Sequence, residues 1–256
     1  MGFPLWKVAP LVLAGALGCS RAWADAPPHP QDPLWQRAVE GAAKSEAAGV
    51  APGGLEMEAC VKKPDGTVEE QSSMRFRIVY EGDGSRTELI SATQNGKDVT
   101  EKAKAEEAKQ ERERKEKKPK KEDSASLELE PGYHPFSPKS QDRVTVQRAG
   151  EAPFDGRTAA VFTFRETSED GKSAFQGKAW LDPETGAPLQ IEASPSPLPK
   201  HVDALVSTTR FETAPDGLWR PVSTQMRGEG GMLWIRRVFE SRFRLTDWHV
   251  KDGRKP

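Results

Sequence analysis

Cysteine is nearly missing from this chain: of its two cysteines, Cys19 lies in an apolar leader and Cys60 stands alone beyond it. If the leader is removed, no intrachain disulfide can form, so the fold must rest on its hydrophobic core. Histidine is equally scarce. His29, His134, His201 and His249 are scattered and show neither an H-E-x-x-H pattern nor a Cys/His ligand spacing, so no metal site is expected. No G-x-S-x-G occurs, and "GDGS" at Gly82 to Ser85 has no helix pattern after it, which makes it a hairpin turn rather than a phosphate loop. Net charge is −1, which gives a general nucleic-acid role no support. Glu56 and Glu58 fall on alternating strand positions, where a solvated surface pair is expected rather than a catalytic one. Cys60 opposes the apolar positions of its strand with no histidine assigned beside it, the pattern of an inert thiol. No catalytic residue, metal or cofactor is predicted.

Long apolar runs are confined to the start. Lys7, the run "VAPLVLAGALG" and the small-x-small "AWA" at Ala22 to Ala24 read as a secretory signal over residues 1–24, cleaved before Asp25. The run is too short to span a bilayer, and nothing after it is apolar enough to do so as a helix. An overlapping reading is open: "ALGC", Ala16 to Cys19, approximates a lipoprotein box, with Cys19 acylated and the product held at the outer membrane. Lipoboxes prefer Leu where Ala16 stands, which favours cleavage after Ala24 and a periplasmic product. About 230 residues then remain, within the range of one all-β domain, here residues 25–256. The apolar fraction is only 35%, against the usual ~45–50% with Gly included. One polar insert explains part of the deficit.

Asp32 and Pro33 open the best helix, "LWQRAVEGAAKSEAAG", with Asp32 as N-cap and Gly49 as C-cap. Leu34, Trp35, Ala38, Val39 and Ala42 share one face of it. The period then changes. Leu55, Met57, Ala59 and Val61 alternate with Glu56, Glu58 and Cys60, and Met74, Phe76, Ile78 and Tyr80 alternate with Arg75, Arg77 and Val79, which is strand spacing. Residues 101–122, "EKAKAEEAKQERERKEKKPKKE", interrupt it with ten basic and seven acidic side chains. Ala103, Ala105 and Ala108 give this insert no face to bury, while Glu111/Lys115, Glu113/Lys117 and Glu116/Lys120 support a helix. A solvated helix or a disordered arm is expected, one that can touch an anionic membrane surface or an envelope protein.

From Arg143 to Trp248 strands alternate with turn signals, "PFDG", "SEDGK", "PETG", "PDG" and "GEGG", at the spacing of an antiparallel meander. Many of these strands are apolar on one side. Phe162 and Phe164 oppose Thr163 and Arg165; Leu205 and Phe211 oppose Thr208 and Arg210; Leu233, Ile235 and Phe239 oppose Arg236 and Glu240. A large one-sided sheet must cover its apolar face and curls as strands accumulate. One amphipathic helix is available. Either the sheet curls around it, or part of the concave face stays open to a ligand. Trp35, Trp180, Trp219, Trp234 and Trp248 read as core aromatics, with Trp180 and Trp234 on the polar side as candidates for a rim.

The stretch "WLDPETGAPLQIEA" (180–193), followed by "STTRFET" and "LWRPVSTQMRG" and preceded by leader, helix and strands, resembles the outer-membrane lipoprotein carrier (LolA/LolB-like) superfamily of bacteria. That family joins two strands by an aromatic-led W-x-D-P-x-T-G-x-P turn and carries a later W-x-P, as at Trp219 to Pro221. The likeness covers most of residues 33–248. It implies a mainly β, α+β fold: a curved antiparallel sheet forming an unclosed barrel around a helix, with an apolar hollow for acyl chains. The insert lacks the apolar face of the family's lid helix, and no residue maps onto the family's contact between lid and strand arginine.

Two functions are expected from these features. The first is an exported, non-enzymatic envelope protein that binds lipid or acylated lipoprotein, with Phe162, Phe164, Leu205, Phe211, Val222, Leu233, Ile235 and Phe239 lining the site. The second is a periplasmic structural or partner-binding module that works through the charged arm.

Overall fold

The structure, a computed structural model, describes residues 32–81, 84–116, 131–232 and 235–250. The leader, with Cys19 and Ala24, lies outside the described residues, as do Leu233 and Trp234 and the insert beyond Glu116. Helix α1 spans Pro33–Ala48. It begins where Asp32 accepts a hydrogen bond from the Leu34 N–H at 2.8 Å and ends at Gly49, whose positive φ closes the last turn on the Glu46 carbonyl. Eleven strands follow: β1 Val50–Lys62, β2 Val68–Glu81, β3 Gly84–Gln94, β4 Lys97–Asp98, then β5 Val144–Phe154, β6 Arg157–Thr167, β7 Ala174–Leu181, β8 Pro188–Ser196, β9 Val202–Thr213, β10 Trp219–Met232 and β11 Ile235–Val250. Helix α2, Thr100–Glu116, lies between β4 and β5.

All eleven form one antiparallel sheet in the order β4-β3-β2-β1-β11-β10-β9-β8-β7-β6-β5. Its two edge strands, β4 and β5, do not pair, so the barrel is unclosed. Only one junction, β1 beside β11, joins strands far apart in sequence. The rest are hairpins, as the short, regularly spaced turns require.

A single row of paired residues crosses ten strands and shows which side is which: Arg148, Phe162, Ala179, Ile191, Thr209, Thr224, Phe243, Met57, Met74 and Ala92. Paired residues point to the same face of a sheet. From Phe162 to Thr224 the row is buried, then Phe243, Met57 and Met74 are only half-buried, and Ala92 is buried again. The cover therefore has a gap.

The first cover is α1. Leu34, Trp35, Ala38 and Ala42 form one cluster with Ala160, Phe162, Phe164, Ala179, Leu181, Ile191, Ala193 and Phe211. The fully buried indole of Trp35 lies 4.7 Å from the ring of Phe136 and 5.7 Å from that of Phe162. The "DPETG" turn clamps the helix from outside. Asp182 accepts from the N–H of Thr185 at 2.9 Å, and Arg37 donates to the Glu184 carbonyl at 2.8 Å. Gly186 sits at φ +76°, with a Cβ position only 2.9 Å from the Leu34 carbonyl, so only glycine fits there.

Two sequence expectations need correction. "GEGG" is not a turn: Gly228 to Gly231 are ladder residues of β10 paired with β9 or β11, and side chains at Gly230 and Gly231 would collide with the backbone at His201 and Ile235. The glycines serve close strand approach, which composition alone does not distinguish from a turn. The insert also has something to bury. Thr100 starts α2 by accepting from the Ala92 N–H at 3.0 Å, and Ala103 packs against Leu89 and Ala92. The first turn of α2 is the cover at the far end of the row.

Truncation of Trp35 tests the first cover. Trp35→Ala is expected to lower unfolding stability by about 3–5 kcal/mol, measured as a shifted denaturant midpoint at unchanged slope.

Candidate functional site

The gap between the two covers is a trough floored by β11, β1 and β2. Phe239, Phe243 and Leu245 of β11 stand opposite Val61, Met57 and Leu55 of β1, and Met74 and Phe76 of β2 extend the same face beyond Met57 and Leu55. At roughly 4.8 Å per strand, the distance from Thr224 to Ala92 is about 19 Å. All of these apolar side chains keep part of their surface in water, and Phe239 is 39% exposed. The reverse face of the same strands is charged: Arg75 and Arg244 flank Glu56 at 3.5 and 3.8 Å, and Lys62 and Arg227 flank Glu240 at 2.5 and 3.2 Å. Exposed pairs of this kind contribute little to stability, about 0–1 kcal/mol each. Cys60 lies on this charged face, 3.8 Å from Glu240, and partial burial pushes its thiol upward in pKa. No cluster of metal-ligating side chains occurs among the described residues.

The sequence-named lining residues divide into three groups. Phe162, Phe164 and Phe211 are buried beneath α1 and the chain around Phe136. Leu205, opposite Gly228, and Phe239 border the trough, and Ile235, 51% exposed, continues its face toward the end of the hairpin. Val222 is half-buried at the bulge between Pro221 and Ser223, and Leu233 lies outside the described residues. Met57, Met74, Phe76 and Phe243 carry most of the trough floor. Their signal in the sequence was the alternation of β1, β2 and β11.

A strap of residues 131–143 bounds the trough on the α1 side. Gln141 holds it, accepting from the Trp35 indole N–H at 3.0 Å and donating to the carbonyls of Pro135 and Ser137. The Gly132 N–H donates to the Thr224 hydroxyl at 2.9 Å, and a Cβ at Gly132 would touch Pro221 and Leu245. The strap thus crosses β10 and reaches the edge of the floor. Tyr133 donates to Glu166 at 2.7 Å, and its burial raises the phenol far above its ordinary pKa.

On the other side of the strap is a cleft of about 490 Å³, lined chiefly by Ala42, Ser45, Tyr133, His134, Trp219 and Trp248. Trp219 is 95% removed from solvent, since its relative exposure is 5%. It packs where Gly41 leaves the helix bare; a Cβ there would strike the indole. His134 sits edge-on to Trp219, with ring centroids 5.0 Å apart, and its Nδ1 accepts from the Phe136 N–H at 3.3 Å. Burial lowers its pKa to about 4 against a weak opposing pull from Glu46, so the ring is neutral at pH 7 with its proton on Nε2. Sequence pattern does not reveal this cleft, whose lining comes chiefly from α1, the strap, β10 and β11.

Fold and site together define an eleven-stranded antiparallel sheet not closed into a barrel, one end of one face covered by a helix and the middle of that face left apolar and partly open. No protein-family model matches the chain, and no curated protein matches it. Among solved structures it is similar to a putative outer membrane lipoprotein-sorting protein domain from Vibrio parahaemolyticus, at 15% identity over 86% of this chain and 95% of that one, TM-score 0.42. It is similar also to a DUF1329 family protein from Desulfovibrio piger, at 12% identity over 88% and 96%, TM-score 0.35. A third is Mycobacterium tuberculosis lipoprotein LppX, at 8% identity over 88% and 99%, TM-score 0.29.

The neutral His134 makes stability depend on acid. Its pKa is lower in the folded than in the unfolded chain, so its contribution is complete above about pH 6.5 and falls as pH drops toward 4. Unfolding free energy between pH 6.5 and 5, above most carboxylate titration, is expected to fall by up to about 1.4 kcal/mol per pH unit. Chemical denaturation should show this slope flattened in His134→Phe.

Proposed function

We propose that this protein binds the acyl chains of a lipid or lipoprotein in the trough, as an exported, non-enzymatic carrier of the bacterial envelope. One observation carries the reading: along a single row of ten paired residues the cover is complete up to Thr224 and again at Ala92, while Phe243, Met57 and Met74 between them are only partly covered, Met74 leaning on the cluster of Leu89, Ala92 and Ala103. A sheet face that is wet by design is polar, as the reverse of these same strands is. Here it carries two methionines and two phenylalanines within a single span, with Leu55 and Leu245 beside them. Methionine is unbranched and adapts to irregular apolar partners, which suits a flexible chain better than a fixed one.

The energetics fit the same ligand. Each methylene fully buried from water gains about 0.8 kcal/mol, so the gain grows with the length of chain laid across a trough about 19 Å wide. The charged outer face supplies no comparable site. Outer-membrane lipoprotein sorting is the finer form of this reading, with the protein soluble in the periplasm after cleavage at Ala24 or tethered through Cys19.

The test is native mass spectrometry of protein purified from a bacterial envelope without detergent, followed by uptake of a fluorescent fatty acid. A stoichiometric lipid or acylated peptide is expected to travel with the wild-type chain. Met57→Asp and Phe243→Asp each place a charge on the partly wet floor and are expected to weaken uptake tenfold or more, with the native β-sheet circular-dichroism spectrum retained. A clean apo mass with no uptake by the wild type would overturn the reading and return attention to the charged arm.

A further inference from the structure

The floor of the trough is not level. Paired residues share a face of the sheet, so the floor divides into rows that cross the strands. One row is Phe243, Met57 and Met74 on β11, β1 and β2. Four residues further along the strands lies the row of Phe239 and Val61, with Glu70 beyond them. Between the two run Ser241, Ala59 and Ser72, all with short side chains. Two ridges thus flank a groove that lies across β11 and β1.

Elsewhere on this face short side chains have a filler. Ala160, Ala179 and Ala193 are buried to 2% exposure or less because α1 packs down onto their cluster. Ala59 belongs to neither buried cluster, and it and Ser241 keep part of their surface in water. The ridges are wet too, since Phe239 is 39% exposed and Phe243, Met57 and Val61 are half-buried.

The spacing of the ridges says what fits between them. Four residues of strand rise put them about 13 Å apart. Their side chains stand roughly perpendicular to the sheet. Once half the width of a phenylalanine or methionine is taken from either side, about 8 Å remains between atom centres, or two carbon contacts of about 3.5–4.0 Å each. A single methylene chain touches both ridges at once. Two chains abreast, or one with methyl branches, do not fit. The groove also has ends. Ser72 is 4% exposed, and with Met74, Gln94, Lys102 and Ala103 it lines a cavity of only about 10 Å³, room for one water at most. Met226 stands at the other end, in register with Ser241. Three strand spacings separate these ends, about 14 Å.

We infer that the trough is a one-chain site, in which a single straight acyl chain lies across β11 and β1 between the ridges, an inference that rests on the acyl-binding reading above. Phe239 and Phe243 are then the residues that set specificity, gripping a straight chain from either side and excluding a branched one. Ala59 and Ser241 set the depth at which it lies.

The experiment competes palmitate and phytanate against a fluorescent fatty acid on the purified full chain. The competitors share a carboxylate head and a backbone length and differ in the methyl branches of phytanate. Palmitate is expected to displace the probe at least tenfold more effectively, and native mass spectrometry to show one palmitate per chain. Ala59→Leu and Ser241→Leu raise the groove floor and are expected to weaken palmitate about tenfold, with the β-sheet circular-dichroism spectrum retained. Phe239→Ala lowers one ridge and is expected to bring phytanate within threefold of palmitate, a gain that loss of fold does not produce. Equal displacement by both acids in the wild type, two palmitates per chain, leucine variants that bind palmitate as the wild type does, or a Phe239→Ala chain that discriminates as strongly would each overturn the groove and leave the trough standing. Failure of both the probe and palmitate to bind the wild type would overturn the trough, and the groove with it.

Discussion

One helix cannot cover eleven strands, and the architecture follows from that mismatch. Helix α1, at sixteen residues, is about 24 Å long, whereas the sheet is roughly 50 Å across at the usual strand spacing. Its apolar face is spent on β6 to β10, where Trp35 fits among Phe136, Phe162 and Phe164. The rest of that face is left to whatever other elements reach. The cluster around the first turn of α2 takes in β3 and Met74 and Phe76 of β2, the strap reaches β10 and Leu245 of β11, and between them Met57 and Phe243 are left partly open.

Much of this was legible in the sequence, and the reasons for success and failure are physical. The helix was readable because its caps are local: Asp32, Pro33 and Gly49 act within one turn of the residues they stop. The strands were readable because period-two alternation is local too. What alternation reveals is which residues share a face, and it is silent on how far a helix extends over that face. Phe162, Phe164 and Phe211 therefore read as ligand lining on the same footing as Phe239, though α1 and the strap bury the first three. "GEGG" was misread since glycine marks turns and tight strand approach alike. The insert's pattern offers a solvated helix or disordered arm with no face to bury, yet a single alanine, Ala103, near its start is enough to dock a first turn.

The cleft was illegible for a different reason. Its members come from positions as far apart as Ala42 and Trp248, and each alone has an ordinary explanation: a helix alanine, a core tryptophan, a histidine near proline. Only the pairing of β11 with β1 and the return of the chain at residue 131 bring them together. Long-range closure of this kind has no signature in a single sequence.

The trough and the cleft differ in how they bear the absence of cover. Along the trough the cost is distributed, a partly wet side chain at a time, and the backbone ladders of β1, β2 and β11 hold the floor without help from packing. In the cleft the cost is concentrated in a few unpaired donors, each worth about 1–3 kcal/mol, against a total folding stability of about 5–15 kcal/mol for a domain. A chain selected for stability alone has easy remedies, such as phenylalanine for either tryptophan, which keeps the aromatic bulk and deletes the donor. The methionines of the floor are unbranched and fill space loosely, so this part of the face settles less readily into one packing than the cluster under α1. The strain of the fold therefore collects where α1 does not reach, in the partly wet floor and in the unpaired nitrogens of Trp219 and Trp248.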